Sequence, residues 1–392
     1  MDVIYLDNCA TTRVDEEVLD AMLPYLREEF GNPSSPHLLG KRARRAVDAA
    51  TESVAGLLGA DPAGIVFTSG ATESNNIALL GVFGHGDRAP VNAVFCPTDH
   101  KSSLSIARAL RERGVGIRTT AVRADGVVDL ARFANLLDFD TRVATVAWVN
   151  SEIGTIQPVR EMAALCHESG ALLHVDAAPA AGRIPIDVVG TAVDTLAMSA
   201  HKIGGPKGIG VLCIRPEIRR RIRPITHGGG QYDLRSGTIP THLVVGLGKA
   251  CQLAAARMAE DGEKVAVLRS IAMELLTRRI PGLRINGHPR AGVPHVLNLV
   301  LPGVRGESLV ASLPSVALST GSACNSDSQE PSPVLTAIGV SAEDANSSIR
   351  MCLSPRMTAE ELVRGLNLVC DRARGLAGVV VARRAADGVA VL

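Results

Sequence analysis

TLAMSAHKIGGPKGIGVLCI, residues 195–214, consists of two apolar runs joined by a glycine-rich turn. Thr195–Ser199 and Gly210–Ile214 are short, apolar and bounded by turn residues, the pattern of strands buried on both faces. The turn between them is shorter than the roughly dozen residues a parallel crossover needs, so the second run returns antiparallel and is expected at an edge of its sheet. Further runs at Ile65–Thr68, Ala93–Cys96, Gly116–Val122, Val143–Val149 and Ala171–Val175 precede them in the chain. They alternate with stretches such as Leu104-Ile106-Ala107-Leu110 and Val159-Met162-Ala163-Leu165-Cys166, whose apolar residues recur at helical spacing. This alternation predicts an α/β fold with a mainly parallel seven-stranded sheet between helices. Ligands of such sheets bind outside the carboxyl ends of the strands.

After Thr241 a helical stretch reaches Arg279 and leads into a smaller α+β C-terminal domain. Strands are expected there at Leu283–Asn286, Val296–Leu301, Val316–Ser319 and Ile349–Leu353, and helices at Gly306–Leu313, Ser332–Ile338 and Thr358–Ala373. The apolar tail after Gly378 has no assignment. The expected division is a large domain at 15–255 and a small one made of 1–14 and 256–392.

A chain of 392 residues with 46% hydrophobic content can bury a large core, which excludes a disordered protein. A net charge of +1 argues against a surface dedicated to nucleic acid, so no direct nucleic-acid binding is expected. No apolar run reaches the roughly 18 residues of a membrane span. Met1 to Tyr5 lacks the basic segment and apolar core of a secretion signal, and a cytoplasmic location is expected. The eight cysteines are scattered without a CxxC pair, so neither a metal site nor disulfides are expected. Most sit in apolar surroundings, as in Val211-Leu212-Cys213-Ile214, and read as small buried hydrophobes. Cys324 differs. In STGSACNSDSQEPS, residues 319–332, it has no bulky apolar neighbours, and a polar segment can carry its thiolate to a substrate.

Three segments carry further chemistry. In TSGATESNN, residues 68–76, a strand ends, a glycine turns and a helix begins, so free amides and the Thr72 hydroxyl suit a phosphate; an ordinary capped helix start fits that segment equally well. Asp176 in HVDAA ends an apolar strand, where it either caps the next turn or pairs with the protonated ring nitrogen that pyridoxal phosphate needs. Lys202 follows a strand directly and precedes a glycine-rich turn. Desolvation there lowers an amine's pKa and favours a Schiff base.

These segments, with HGGGQ and RSGT between His227 and Thr238, YLDNCATT at 5–12 and GNPSSPH at 31–37, resemble those of the pyridoxal-phosphate-dependent cysteine desulfurases. The spacing from Cys324 to Glu330-Pro331-Ser332 resembles group I, the NifS-like enzymes, and the motifs run in order from residue 5 to about 356. The resemblance implies a fold-type I transferase in which Lys202 holds pyridoxal 5'-phosphate and Asp176 pairs with its pyridine nitrogen. Ala71, Thr72, Ser199 and His201 would hold the phosphate, joined by Thr238 from the partner subunit of a homodimer. His100 would stack on the ring and assist proton transfers, while Arg350 and Asn150 would bind the substrate, L-cysteine. Cys324 would take the substrate sulfur as a persulfide, leave L-alanine, and pass the sulfur to an acceptor protein. Iron-sulfur cluster assembly, tRNA thiolation and DNA phosphorothioation all draw on this family.

The alternatives are another lyase or aminotransferase of the same fold, which has no use for Cys324, and a non-catalytic scaffold, which has no use for Lys202 and Asp176. Several positions depart from the family pattern. Pro179 replaces a glutamine and Ser151 an asparagine near the cofactor's phenolic oxygen, and proline has no side-chain donor, so a shifted cofactor pKa or slower turnover is expected. The GGGQYDLRSGT segment is one residue shorter than in the family. Cys9 and Cys352 are read as bystanders. Arg215, Arg219, Arg220, Arg221 and Arg223 form a basic run that suits a solvated face better than a docking patch.

Overall fold

The computed structural model describes residues 3–83, 91–320 and 331–386; Cys324 and its neighbours lie outside the described residues. The chain opens with β1 (Ile4–Tyr5). It then lays down β2 (Ile65–Thr68), β3 (Asn92–Phe95), β4 (Gly116–Thr119), β5 (Thr141–Ala147), β6 (Leu172–Asp176), β7 (Thr195–Ser199) and β8 (Gly210–Ile214). The last seven form one sheet in the order β2-β8-β7-β6-β5-β3-β4. Strands β3 to β7 are mutually parallel, and β8 runs antiparallel to both neighbours.

The antiparallel strand is therefore not at the edge, contrary to expectation: β2 lies outside it. Every residue of β8 is buried, as an interior strand requires, whereas the edge strand β4 exposes Gly116 and Thr119. The outer edge of β2 is covered by Gln231, whose carboxamide accepts from the Phe67 N–H at 2.7 Å and donates to the Phe67 carbonyl at 3.0 Å.

Helices cover both faces. The helix Leu38–Leu58 turns its stripe of Ala43, Val47, Ala50, Val54 and Leu58 inward and stops at Gly59, whose φ of 55° is a left-handed conformation that glycine adopts without strain. Ala71–Gly81 and Lys101–Glu112 cover the opposite face with Ile77, Leu79, Ile106 and Leu110. Each fully buried Leu, Ile or Phe in these layers contributes about 1.5–3 kcal/mol. Cys96, Cys166, Cys213 and Cys251 are packed into the core beside the sheet and Cys370 into that of the C-terminal region, and burial pushes their thiols up.

The helix Thr241–Arg279 contributes Val244, Leu247 and Cys251 to the core beside the sheet, then Val265, Leu268, Ala272 and Leu276 to a second core. Around that second core lie β9 (Arg284–Asn286), β10 (Val296–Val300), β11 (Val316–Ala317), β12 (Ser319–Thr320) and β13 (Ser348–Cys352). The single strand expected at 316–319 is two. β11 pairs in parallel with β1, and after Leu318 the chain changes partner, so that β12 joins β13 in the antiparallel sheet β12-β13-β10-β9. The C-terminal helix, expected to Ala373, continues to Ala386 and includes part of the unassigned tail. No helix among the described residues is long and apolar enough to cross a membrane.

The basic run is partly structural. Arg215 pairs with buried Asp194 at 2.6 Å, Arg219 reaches the Ala63 carbonyl and stacks on Tyr232, and Arg221 donates to the Gly170 carbonyl at 3.1 Å. Arg220 and Arg223 are exposed.

Candidate active site

Because β2, β3, β5, β6 and β7 point the same way, the loops at their carboxyl ends converge on a cavity of about 530 Å³. Ala71, Thr72, His100, Asn150, Asp176, Ser199, His201, Lys202 and Arg350 all line it. Thr238 does not; it is exposed on the loop after Gln231.

Lys202 enters the cavity in the turn after β7. The turn is tight because the chain folds back at Gly210, where a Cβ would lie 2.5 Å from both the Gly70 Cα and the Met198 carbonyl oxygen. The Lys202 amine donates to the Cys9 carbonyl at 2.5 Å and the Ala10 carbonyl at 2.9 Å. Burial lowers its pKa below the ordinary lysine range, and the nearby charges of Arg183 and Arg350 act in the same direction. An amine so placed loses its proton more readily than a surface lysine.

Asp176 is buried at the end of β6. One carboxylate oxygen accepts from the Ala178 N–H at 2.9 Å, and the other from the Asn75 amide at 2.9 Å. The same Asn75 amide nitrogen donates to Ser102 Oγ at 2.9 Å, and its oxygen faces His174 Nε2 at 2.9 Å. His174 Nδ1 lies 2.8 Å from Thr195 Oγ1, and burial lowers the imidazole's pKa to about 4, so it is neutral. A neutral His174 that donates from Nε2 and accepts at Nδ1 satisfies every contact in this chain. Ser102 also lies 2.9 Å from His100 Nδ1, which accepts from the Ser102 N–H at 3.2 Å. Two side chains not expected from the sequence, Asn75 and Ser102, thus connect His100 to Asp176.

At the opposite end of the cavity the helix Ala71–Gly81 begins at Gly70 without a side-chain cap. Its Ala71 N–H donates to Ser199 Oγ at 2.7 Å. His201 holds Thr11 Oγ1 at 3.1 Å, and burial, assisted by Lys202 and Lys207, lowers its pKa to about 4. Neutral donors and an uncapped helix start suit a phosphate. A buried carboxylate, an amine of lowered pKa and an anion cradle within one cavity are the three kinds of group that pyridoxal phosphate requires.

Arg350, on β13, is buried at 4% exposure. It pairs with Asp7 at 2.8 Å and donates to the Ser151 carbonyl at 3.3 Å, while its buried Nε has no partner among the described residues. Burial opposes its charge, but Cys352, Cys9 and Asp7 outweigh that effect and raise its pKa. The Asn150 side chain accepts from the Glu152 and Ile153 N–H groups at 2.8 and 2.9 Å and donates to the Thr98 carbonyl at 2.8 Å. One amide hydrogen is left for a ligand. Asp99 is a buried cavity residue absent from the expectations; its pKa is raised to about 7, chiefly by burial and further by Asp176.

The chain on either side of the 321–330 segment touches residues of this cavity or lines it. Ser319 on β12 pairs with Arg350, and on the far side Ser332 donates to Glu152 at 2.5 Å while Pro333 and Val334 line the wall.

The aminotransferase class-V family model matches residues 4–364. Cysteine desulfurase IscS of Rickettsia rickettsii is 40% identical over 371 residues, 94% of this chain and 90% of that protein. A solved NifS-like protein superposes with a TM-score of 0.89 at 34% identity, covering 96% of this chain and 100% of the other. DndA from Streptomyces lividans superposes at 0.76 with 37% identity, covering 89% and 99%. Matched along nearly its whole length in sequence and in fold, the chain belongs to the aminotransferase class-V family, and within it to the group I NifS-like cysteine desulfurases.

Proposed function

We propose that desulfuration takes place in the cavity at the strand ends, with pyridoxal 5'-phosphate held by Lys202, Asp176 and the Ala71 helix start. The supporting observation is that Lys202, Asp176, His100 and Arg350, distant in sequence, line one cavity together with Pro333 and Val334, which follow the Cys324 segment, while Ser319, which precedes it, pairs with Arg350. When bound, the cofactor supplies an electron sink for the pair released at the substrate α-carbon. The chain's own residues do the rest. Asp176, fixed by Asn75 and the Ala178 N–H, keeps a ring-nitrogen proton paired. Ala71, Thr72, Ser199 and His201 hold the phosphate. Arg350 orients the carboxylate of L-cysteine, with Asn150 beside it, and gives up Asp7 to do so. His100, whose Nδ1 accepts from Ser102, moves protons at Nε2. Cys324, as thiolate, attacks the substrate sulfur; a sulfur–sulfur bond forms, the carbon–sulfur bond breaks with its pair left on carbon, and L-alanine departs. The persulfide then passes to an acceptor protein.

In this reading residues 15–255 form the cofactor domain and 1–14 with 256–392 the small domain. The chain is a homodimer in which Thr238, outside its own cavity, completes the phosphate end of the partner's site. The test is to measure alanine and sulfide from L-cysteine under reducing conditions. The wild type should yield equal amounts. Lys202→Ala should lose activity and cofactor absorbance together, and Cys324→Ser should lose alanine and sulfide formation while keeping the cofactor absorbance. Sulfide release by Cys324→Ser at the wild-type rate overturns the reading.

A further inference from the structure

The end of β13 and the N-terminal segment run side by side under the cavity. The Cys352 N–H donates to the Leu6 carbonyl at 2.6 Å, the Asn8 side chain donates to the Cys352 carbonyl at 2.9 Å, and Asp7 bridges to Cys352 in parallel register. A turn closed by the Ala10 N–H on the Asp7 carbonyl, at 2.9 Å, then brings Cys9 back toward this strand end, and both thiols belong to one buried cluster. Two thiols in this geometry, read from the sequence as bystanders, invite a joint role.

Their surroundings are also unlike those of the core cysteines. Arg183 Nη1 points at Cys9 Sγ at 3.5 Å, while its Nη2 donates to the Asn8 carbonyl at 3.3 Å. Cys9 lines the main cavity, which gives small molecules a route to it; Cys352 lies behind it, at 0% exposure.

We infer that Cys9 and Cys352 are a redox-active thiol pair, with Cys9 the site of attack by hydroperoxides and Cys352 the resolving thiol that closes a disulfide. The electrostatics assign the order. The Arg183 guanidinium beside Cys9 favours its thiolate, whereas burial pushes the Cys352 thiol up. The thiolate is the nucleophile of thiol chemistry. Cys9 thiolate attacks the O–O bond of hydrogen peroxide, giving the sulfenic acid and releasing hydroxide, which takes a proton to become water. Cys352 then attacks the sulfenic sulfur, its proton leaving with the hydroxyl as a second water. The two sulfurs lose two electrons in total, and the peroxide gains them. This chemistry is independent of the substrate the cavity takes.

Reduced protein exposed to hydrogen peroxide, alkylated and digested with trypsin provides the test, in the wild type and in Cys324→Ser. The Cys9 peptide, residues 1–13, and the Cys352 peptide, residues 351–356, should appear joined, and both alkylated forms should be lost together and return after treatment with dithiothreitol. In Cys352→Ala, Cys9 should instead be trapped as a sulfenic acid by dimedone. The inference is overturned if both cysteines remain alkylated in wild type under exposure that oxidises Cys324. It is equally overturned if Cys9 advances to the sulfinic acid while Cys352 stays reduced.

Discussion

Asn75 makes three contacts with one carboxamide, to Asp176, Ser102 and His174, and is itself fully buried. Removing it takes one hydrogen-bond partner from a buried carboxylate and one from a buried imidazole, at about 1–3 kcal/mol for each group. Asn75→Ala should therefore lower the urea midpoint by the equivalent of about 3 kcal/mol and weaken cofactor retention; an unchanged midpoint would contradict the network. Asn75 stands within the TSGATESNN segment, yet no role for it was readable there, because its partners lie 27, 101 and 99 residues away. Lys202 and Asp176 were legible for the opposite reason. Each follows directly from a strand into a turn, so local sequence alone puts it at a sheet's carboxyl edge. Cys9 and Cys352 were illegible as a pair because 1–14 and the end of β13 meet only through the tertiary fold.

Secondary elements were recovered well wherever apolar runs and turn residues agreed. β2, β7, β8 and the helix Thr241–Arg279 have the expected boundaries. Lateral order was not recoverable, since an interior antiparallel strand and an edge strand can share one composition; β8 was placed at the edge although β2 flanks it. The partner change at Leu318 escaped for a similar reason, because alternation along a strand does not say which neighbour it pairs with. The turn from β7 to β8 offers a test at this scale. At Gly210 an added methyl would meet backbone atoms of Gly70 and Met198, which cannot swing aside. Gly210→Ala should destabilise by about 1–3 kcal/mol and displace the helix start at Ala71, weakening binding of the phosphate end of the cofactor; the check is calorimetric stability together with pyridoxal-phosphate affinity. Retention of both would mean that the two turns are not coupled.

For the molecule as a whole, two buried groups make opposed contributions to acid stability. His174 falls from 6.5 to about 4, so its contribution is present above 6.5 and is lost as pH drops toward 4. Asp99 rises from 3.8 to about 7, so its contribution is present at low pH and is lost as pH climbs from 3.8 to about 7. Each changes the slope by up to about 1.4 kcal/mol per pH unit. Urea midpoints measured between pH 4 and 6.5 should thus rise with pH more steeply in Asp99→Asn than in wild type and less steeply in His174→Gln. Parallel profiles would contradict both assignments. Dimer architecture is testable by complementation. Lys202→Ala and Thr238→Glu homodimers should each be inactive, and a mixed dimer should recover activity, because one of its sites then has Lys202 from one chain and Thr238 from the other. No recovery would place Thr238 in its own chain's site.

The central claim is that the cavity delivers the sulfur of L-cysteine to Cys324. It is tested most directly by incubating the enzyme with L-cysteine without reductant, alkylating, and mapping the extra sulfur by peptide mass. One sulfur on Cys324 for each alanine formed in the first turnover is the predicted result, absent in Lys202→Ala. Alanine formed with the extra sulfur on another cysteine, or on none, would contradict it.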